Sequence, residues 1–119
     1  MKILADVIKE AHPVYYVAEL ERSIVFYREA LGLEMAWQFG ETIVGFRLTQ
    51  GFLIVLCEDP ARVRSKETPP LVISVREIDK VYQTLRRRGV QFREEPVDSS
   101  YGRIASFTDP DGYVFDLCG

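Results

Sequence analysis

Hydrophobic and polar residues fall into short blocks along this chain, and the blocks occur twice in the same order. Val14–Val17 is β-branched and aromatic, which predicts a strand. Residues 19–31 place Leu20, Ile24, Tyr27 and Leu31 at helical spacing, with Gly32 as the stop. Three runs of strand character follow, 33–39, 42–49 and 52–58, and Gly40-Glu41 and Gln50-Gly51 suit the hairpin turns between them. Residues 59–70 hold Pro60, Pro69 and Pro70 among several charges, the composition of an exposed linker. The order then restarts. A strand is predicted over 71–75 and a helix over 77–88, with Ile78, Val81, Tyr82 and Leu85 inward and Gly89 as its stop. Strands over 90–94, 103–108 and 113–118 complete the chain, the last two joined by Asp109-Pro110-Asp111-Gly112.

The two halves superpose by offset. Val17 and Leu20 match Val75 and Ile78 at 58 residues, and Gly32 matches Gly89 at 57. Phe46, Gly51, Leu56 and Cys57 match Phe107, Gly112, Leu117 and Cys118 at 61. Ordered matches at nearly constant offset are the mark of an internal repeat. The fold class is therefore α+β, two βαβββ modules, with module 1 over about 12–58, a linker over 59–69 and module 2 over about 70–118. Each half alone exposes one sheet face, so halves or chains must pair to bury it.

Composition narrows the function. With 47% hydrophobic and 28% charged residues in 119, the chain has the balance of one globular domain. Its net charge of -3 argues against a nucleic-acid partner, because phosphate binding needs a basic surface. The basic run Arg86-Arg87-Arg88 stands where a helix ends and complements the helix dipole. No apolar run reaches the roughly 18 residues that span a bilayer, and residues 1–11 mix Lys2, Asp6, Lys9 and Glu10 with apolar positions, unlike a signal peptide. A cytoplasmic protein without membrane partners is expected, with Cys57 and Cys118 as reduced thiols.

Two segments carry a resemblance. Residues 19–27, Glu-Leu-Glu-Arg-Ser-Ile-Val-Phe-Tyr, followed by Leu31-Gly32-Leu33, resemble the first helix of the vicinal oxygen chelate superfamily. Residues 106–117, Ser-Phe-Thr-Asp-Pro-Asp-Gly-Tyr-Val-Phe-Asp-Leu, resemble its C-terminal signature. That superfamily includes glyoxalase I, extradiol dioxygenases and the fosfomycin- and bleomycin-resistance proteins. The resemblance implies curved mixed sheets around a central cavity, often at a dimer interface, and four positions that carry metal ligands in metal-dependent members. His12 stands at the first position and Asp116 at the fourth. The repeat supplies the other two: 58 residues beyond His12 is Pro70, and 61 before Asp116 is Val55. Neither side chain can ligate a metal.

A catalytic divalent metal usually takes three protein ligands, and His12 is the only histidine in the chain. No cofactor is therefore expected. The alternative is a metal held by His12 and Asp116 with Cys57 or Cys118, each two residues from a ligand position on the same strand face. A carboxylate at position 116 needs a partner, for which His12, Arg47 and Arg103 are candidates. A His12–Asp116 pair would also serve as a metal-free general base. Alternation along the strands places Val14 and Tyr16 with His12, Leu53 and Cys57 with Val55, Val72 and Ser74 with Pro70, and Val114 and Cys118 with Asp116.

The expected ligand pocket comprises Tyr16, Trp37, Arg47, Val55, Cys57, Ser74 and Cys118, with His12 and Asp116 as candidate catalytic residues. Trp37 shares alternation with Leu33 and Met35, so core packing is its other assignment. Residues 98–102 form a polar loop before the seventh strand. The expected function is metal-independent binding of a small molecule; the alternative is a metal-dependent lyase, isomerase or dioxygenase. A homodimer is expected, because pairing buries open sheet edges.

Overall fold

The structure, a computed structural model, describes residues 2–119. The described residues form two compact units that divide between Val63 and Arg64. Eight strands and three α-helices follow in the order α1 (Ile3–Val7), β1 (Val14–Val17), α2 (Leu20–Val25), β2 (Glu34–Phe39), β3 (Ile43–Thr49), β4 (Phe52–Glu58), β5 (Leu71–Ser74), α3 (Ile78–Arg87), β6 (Gln91–Ser99), β7 (Gly102–Thr108) and β8 (Val114–Cys118). A 3-10 turn covers Pro60–Arg62 inside the predicted linker. The units repeat one topology: β1-β4-β3-β2 in the first sheet and β5-β8-β7-β6 in the second. In each, the first strand runs parallel to the fourth and the remaining pairs are antiparallel. No helix among the described residues is long and apolar enough to cross a membrane.

In the first unit, alternation sends Tyr15, Val17, Val44, Phe46, Ile54 and Leu56 to one face, where they are buried with Leu20 and Tyr27 of the helical segment. The Tyr27 and Phe46 rings lie 5.8 Å apart. Complete burial of side chains of this size contributes about 1.5–3 kcal/mol each. The helix predicted over 19–31 is not uniform. α2 passes at Val25 into a π-helical stretch, Phe26–Ala30, with Leu31 N–H bonded to the Phe26 carbonyl. The Leu20 N–H at the start of α2 donates to Glu58 Oε2 at 2.8 Å, so β4 supplies the anionic cap that Glu19 does not.

The second unit packs Ala105, Phe107, Phe115 and Leu117 toward α3, with Ile78, Leu85 and Val90. An aromatic chain runs from Tyr82 to Phe92, Phe107 and Phe115 at successive ring distances of 4.7, 5.5 and 5.3 Å. The predicted turn at 109–112 is built by the buried Asp109 carboxylate, which accepts from the Asp111 and Tyr113 N–H groups at 2.9 Å. The loop expected over 98–102 is instead a tight hairpin. β6 continues to Ser99, and its hydroxyl donates to the Gly102 carbonyl and accepts from the Tyr101 N–H. Serine bonding of this kind substitutes for backbone pairing at the turn.

Candidate functional site

Cross-strand partners lie on the same face of a sheet, so the register defines rows of side chains on the face opposite each helix. In the first unit the middle row runs Val14, Val55, Gly45, Trp37. On one side of it lie Tyr16, Cys57, Ile43 and Phe39; on the other, Leu53, Arg47 and Glu34. His12 directly precedes β1 and is exposed. The ladder runs from the Ala11–Phe52 bridge to the Val14–Val55 pair, which sets His12 opposite Leu53.

The second unit repeats this pattern. Its middle row runs Val72, Asp116, Ser106, Glu94, flanked by Ser74, Cys118, Ile104 and Val97. Val72 and Asp116 stand at the offsets of 58 and 61 from Val14 and Val55 that the sequence repeat defines. Ser106 likewise corresponds to Gly45. The two middle rows are thus equivalent in fold and opposite in chemistry. The first holds hydrocarbon and an indole; the second holds two carboxylates and a hydroxyl.

All five pocket residues expected in the first unit, Tyr16, Trp37, Arg47, Val55 and Cys57, share this helix-free face. Ser74, Asp116 and Cys118 share the corresponding face of the second. Simple alternation places Trp37 on the same face as Met35, but the structure separates them. A β-bulge between them pairs Met35 with buried Phe46 and Trp37 with Gly45, because one extra residue reverses every later side chain on the strand. Phe39, 69% exposed, lies 5.2 Å from the indole, ring to ring.

The polar contacts also differ from expectation. Within the second unit, Asp116 is not held by Arg103. Its Oδ1 accepts the Ser106 hydroxyl at 2.5 Å across the β7–β8 pair. Arg103 instead donates to Asp79 and Asp98, which hold its guanidinium protonated above the usual arginine range. Arg47 faces Glu34 at 3.7 Å. Arg62 reaches over the Tyr16 ring, 5.5 Å from its centre, and donates to the phenol at 3.5 Å. That hydrogen bond, and then nearby Asp59, raise the Arg62 pKa above its ordinary value.

Sequence reasoning missed Ser106, Gly45 and Arg62. The first two were accessible from the repeat, since they stand beside Asp116 and Val55 once the hairpins are paired. Arg62 lies in the segment taken as linker and carried no signal. Within either unit, among the described residues, no three His, Cys, Asp or Glu side chains gather closely enough to hold a metal ion. The donor set at the expected positions does not fit one either, since Val55 and Pro70 offer no ligating atom.

A family sequence model described as Glyoxalase/Bleomycin resistance protein/Dioxygenase superfamily matches residues 9–117. The chain is 24% identical over 115 residues to the uncharacterized protein YraH of Bacillus subtilis, covering 85% of this chain and 90% of that one. It is 29% identical over 120 residues to the lactoylglutathione lyase GLX1 of Arabidopsis thaliana, covering 89% of this chain but only 42% of the plant enzyme's length. Among solved structures, TnmS3, an antibiotic binding protein from Streptomyces sp. CB03234, has the same fold, with a TM-score of 0.80, 24% identity and coverage of 94% and 95%. A superfamily member from Sphaerobacter thermophilus aligns with a TM-score of 0.75, 26% identity and coverage of 94% and 97%.

Proposed function

Because the chain belongs to the Glyoxalase/Bleomycin resistance protein/Dioxygenase superfamily, we propose that it binds an organic small molecule on the helix-free faces of its sheets, without a metal. The observation that carries this reading is the row Val14, Val55, Gly45, Trp37. A position where metal-dependent relatives have a ligand is here the middle of an apolar strip that ends in an indole. Surfaces of that kind take up the hydrophobic part of a ligand, and a few polar groups fix its orientation. Tyr16, Arg47 and Cys57 flank this row in the first unit, and Ser74 and Cys118 flank the corresponding row of the second. The antibiotic-binding fold neighbour supports the reading as an instance of the same architecture used for binding.

The likeness to a lactoylglutathione lyase favours a second reading, a metal-dependent enzyme with His12 and Asp116 among its ligands. Against it stand Val55 and Pro70. We also read the chain as a cytoplasmic homodimer, since each sheet has two edge strands with unpaired backbone groups. Light scattering over a concentration series checks the dimer, and a monomer throughout removes it.

The deciding experiment titrates the protein with manganese, iron(II), cobalt, nickel and zinc by calorimetry, with His12→Ala in parallel. A screen of organic compounds against chelator-treated protein, read by Trp37 emission, accompanies it. Emission changes that saturate without metal support the proposal. Submicromolar metal binding lost in His12→Ala overturns it in favour of the enzyme.

A further inference from the structure

The groove between α3 and the edge strand β6 holds a cavity of about 450 Å³, lined in part by Tyr82, Arg86, Gln91, Phe92, Glu94 and Glu95. That volume falls in the range of small-molecule sites. Its walls carry opposite charges. On α3, Arg86 Nη1 donates to the Tyr82 hydroxyl at 3.1 Å, and the guanidinium stands 5.9 Å from the ring centre. The phenol thus orients the guanidinium without neutralising it. On β6, register shifts flank Glu94, so strict alternation lapses and the adjacent Glu94 and Glu95 both line the cavity. No ion pair joins Arg86, Glu94 or Glu95 to another charge among the described residues. The half-buried rings of Tyr82 and Phe92, 4.7 Å apart, add an apolar patch.

The first unit has a groove at the equivalent place, about 250 Å³, between its helical segment and the edge strand β2. Arg86 and Tyr82 stand 58 residues beyond Arg28 and Ile24 of that groove, and Phe92 and Glu95 stand 57 beyond its Met35 and Gln38. There Arg28 is paired with Glu29 at 2.9 Å, and Gln38 donates to the Gly40 carbonyl. The groove itself is therefore a product of the βαβββ unit. An uncommitted arginine, carboxylates on the facing strand and an aromatic pair are particular to the second copy.

We propose that the α3–β6 groove is a separate ligand site, for a zwitterionic amino acid with an apolar side chain. Arg86 takes the carboxylate, Glu94 and Glu95 take the ammonium group, and the Tyr82–Phe92 rings take the side chain. A plain anion would meet Arg86 but also two carboxylates, and a plain amine would meet the reverse. Only a molecule bearing both charges gains at both walls. The planar guanidinium suits a carboxylate in particular, because its N–H groups can bond both oxygens at once. The three charged groups are exposed, so each contact contributes up to about five-fold in affinity. This site is built against the helix and does not rest on the small-molecule reading of the helix-free faces.

The test uses the full chain and three probes of one shape: L-phenylalanine, 2-phenylethylamine and 3-phenylpropionate. Binding is followed by amide chemical shifts in two-dimensional NMR at low salt. Phenylalanine is expected to bind about five-fold more tightly than either analogue, with shifts centred on Gly89, Gln91 and Phe92. Arg86→Gln should bring phenylalanine down to the level of the amine. Glu94→Gln with Glu95→Gln should bring it down to the level of the acid. Arg28→Gln, in the equivalent groove, should change neither comparison. Equal binding of the three probes overturns the inference, as does a preference that survives Arg86→Gln. Shifts that centre on Arg28 and Met35 or on the strand faces away from the helices place the ligand elsewhere and overturn it too. So does the absence of binding at tens of millimolar probe; in each case the reading of the helix-free faces is still decided by Trp37 emission.

Discussion

The indole of Trp37 occupies the space that a side chain on Gly45 would need. A Cβ placed on Gly45 would stand 2.6 Å from Trp37 Cε2 and 2.8 Å from Cζ2. Glycine at this position is thus a requirement of close approach, since the ring lies against the backbone of β3. The bulge in β2 delivers the ring to that face, and Gly45 lets it lie flat.

Gly45→Ala should therefore dislodge the indole. Overpacking of this kind costs about 1–3 kcal/mol, which urea denaturation measures. Trp37 is the only tryptophan, so its emission reports the displacement directly. A shift in emission maximum with weaker binding of any compound found in the screen is expected. Unchanged emission would show that the ring does not rest on the glycine.

A second expectation concerns Ser23, which is fully buried on α2 with a hydroxyl that has no hydrogen-bond partner among the described residues. Burying an unsatisfied hydroxyl costs about 1–3 kcal/mol, and alanine is the better helix former by up to about 0.7 kcal/mol. Ser23→Ala should stabilise the protein by about 1 kcal/mol in urea denaturation. A loss of stability would instead mean that the hydroxyl is satisfied in solution, as by a buried water.

Arg103 ties α3 to the β6–β7 hairpin through Asp79 and Asp98. Its pKa is raised first by the hydrogen bond to Asp79, then by that to Asp98. A raised value in the folded state means that the stabilisation is fully present below the ordinary arginine range. It is lost only as pH climbs through the folded value. Arg103→Gln should lower the melting temperature by an amount that does not change between roughly pH 6 and 9 as far as Arg103 titration is concerned. Added salt should shrink the difference, because the group is exposed and screened. Calorimetric melts at low and high salt check both points, and a difference that grows with salt would exclude an ionic origin.

Much of the fold was legible in the residues. The repeat offsets give the equivalence of β1 with β5 and of β4 with β8, and the register in both units follows them. On strands as short as Val14–Val17, period-two alternation is enough to assign faces, so Tyr16, Val55, Cys57, Ser74, Asp116 and Cys118 stand where alternation puts them. The Asp109–Gly112 turn was legible because aspartate bonds its own backbone two residues on. Alternation failed on β2, where it joined Trp37 to Met35.

What the sequence by itself determined, then, is the local order: element types, their repetition, and the faces of strands that run without interruption. Those follow from steric alternation and from side chains that act within a few residues. The tertiary structure alone decided the face of Trp37 and the partner of Asp116. A bulge leaves composition unchanged while reversing every later side chain, and it forms only where a partner strand can absorb it. Ser106 meets Asp116 because a hairpin sets them opposite each other, and Arg103 is drawn away because Asp79 and Asp98 converge on it from α3 and β6. Which charges find each other depends on distances between elements, and these exist only once the sheets have formed.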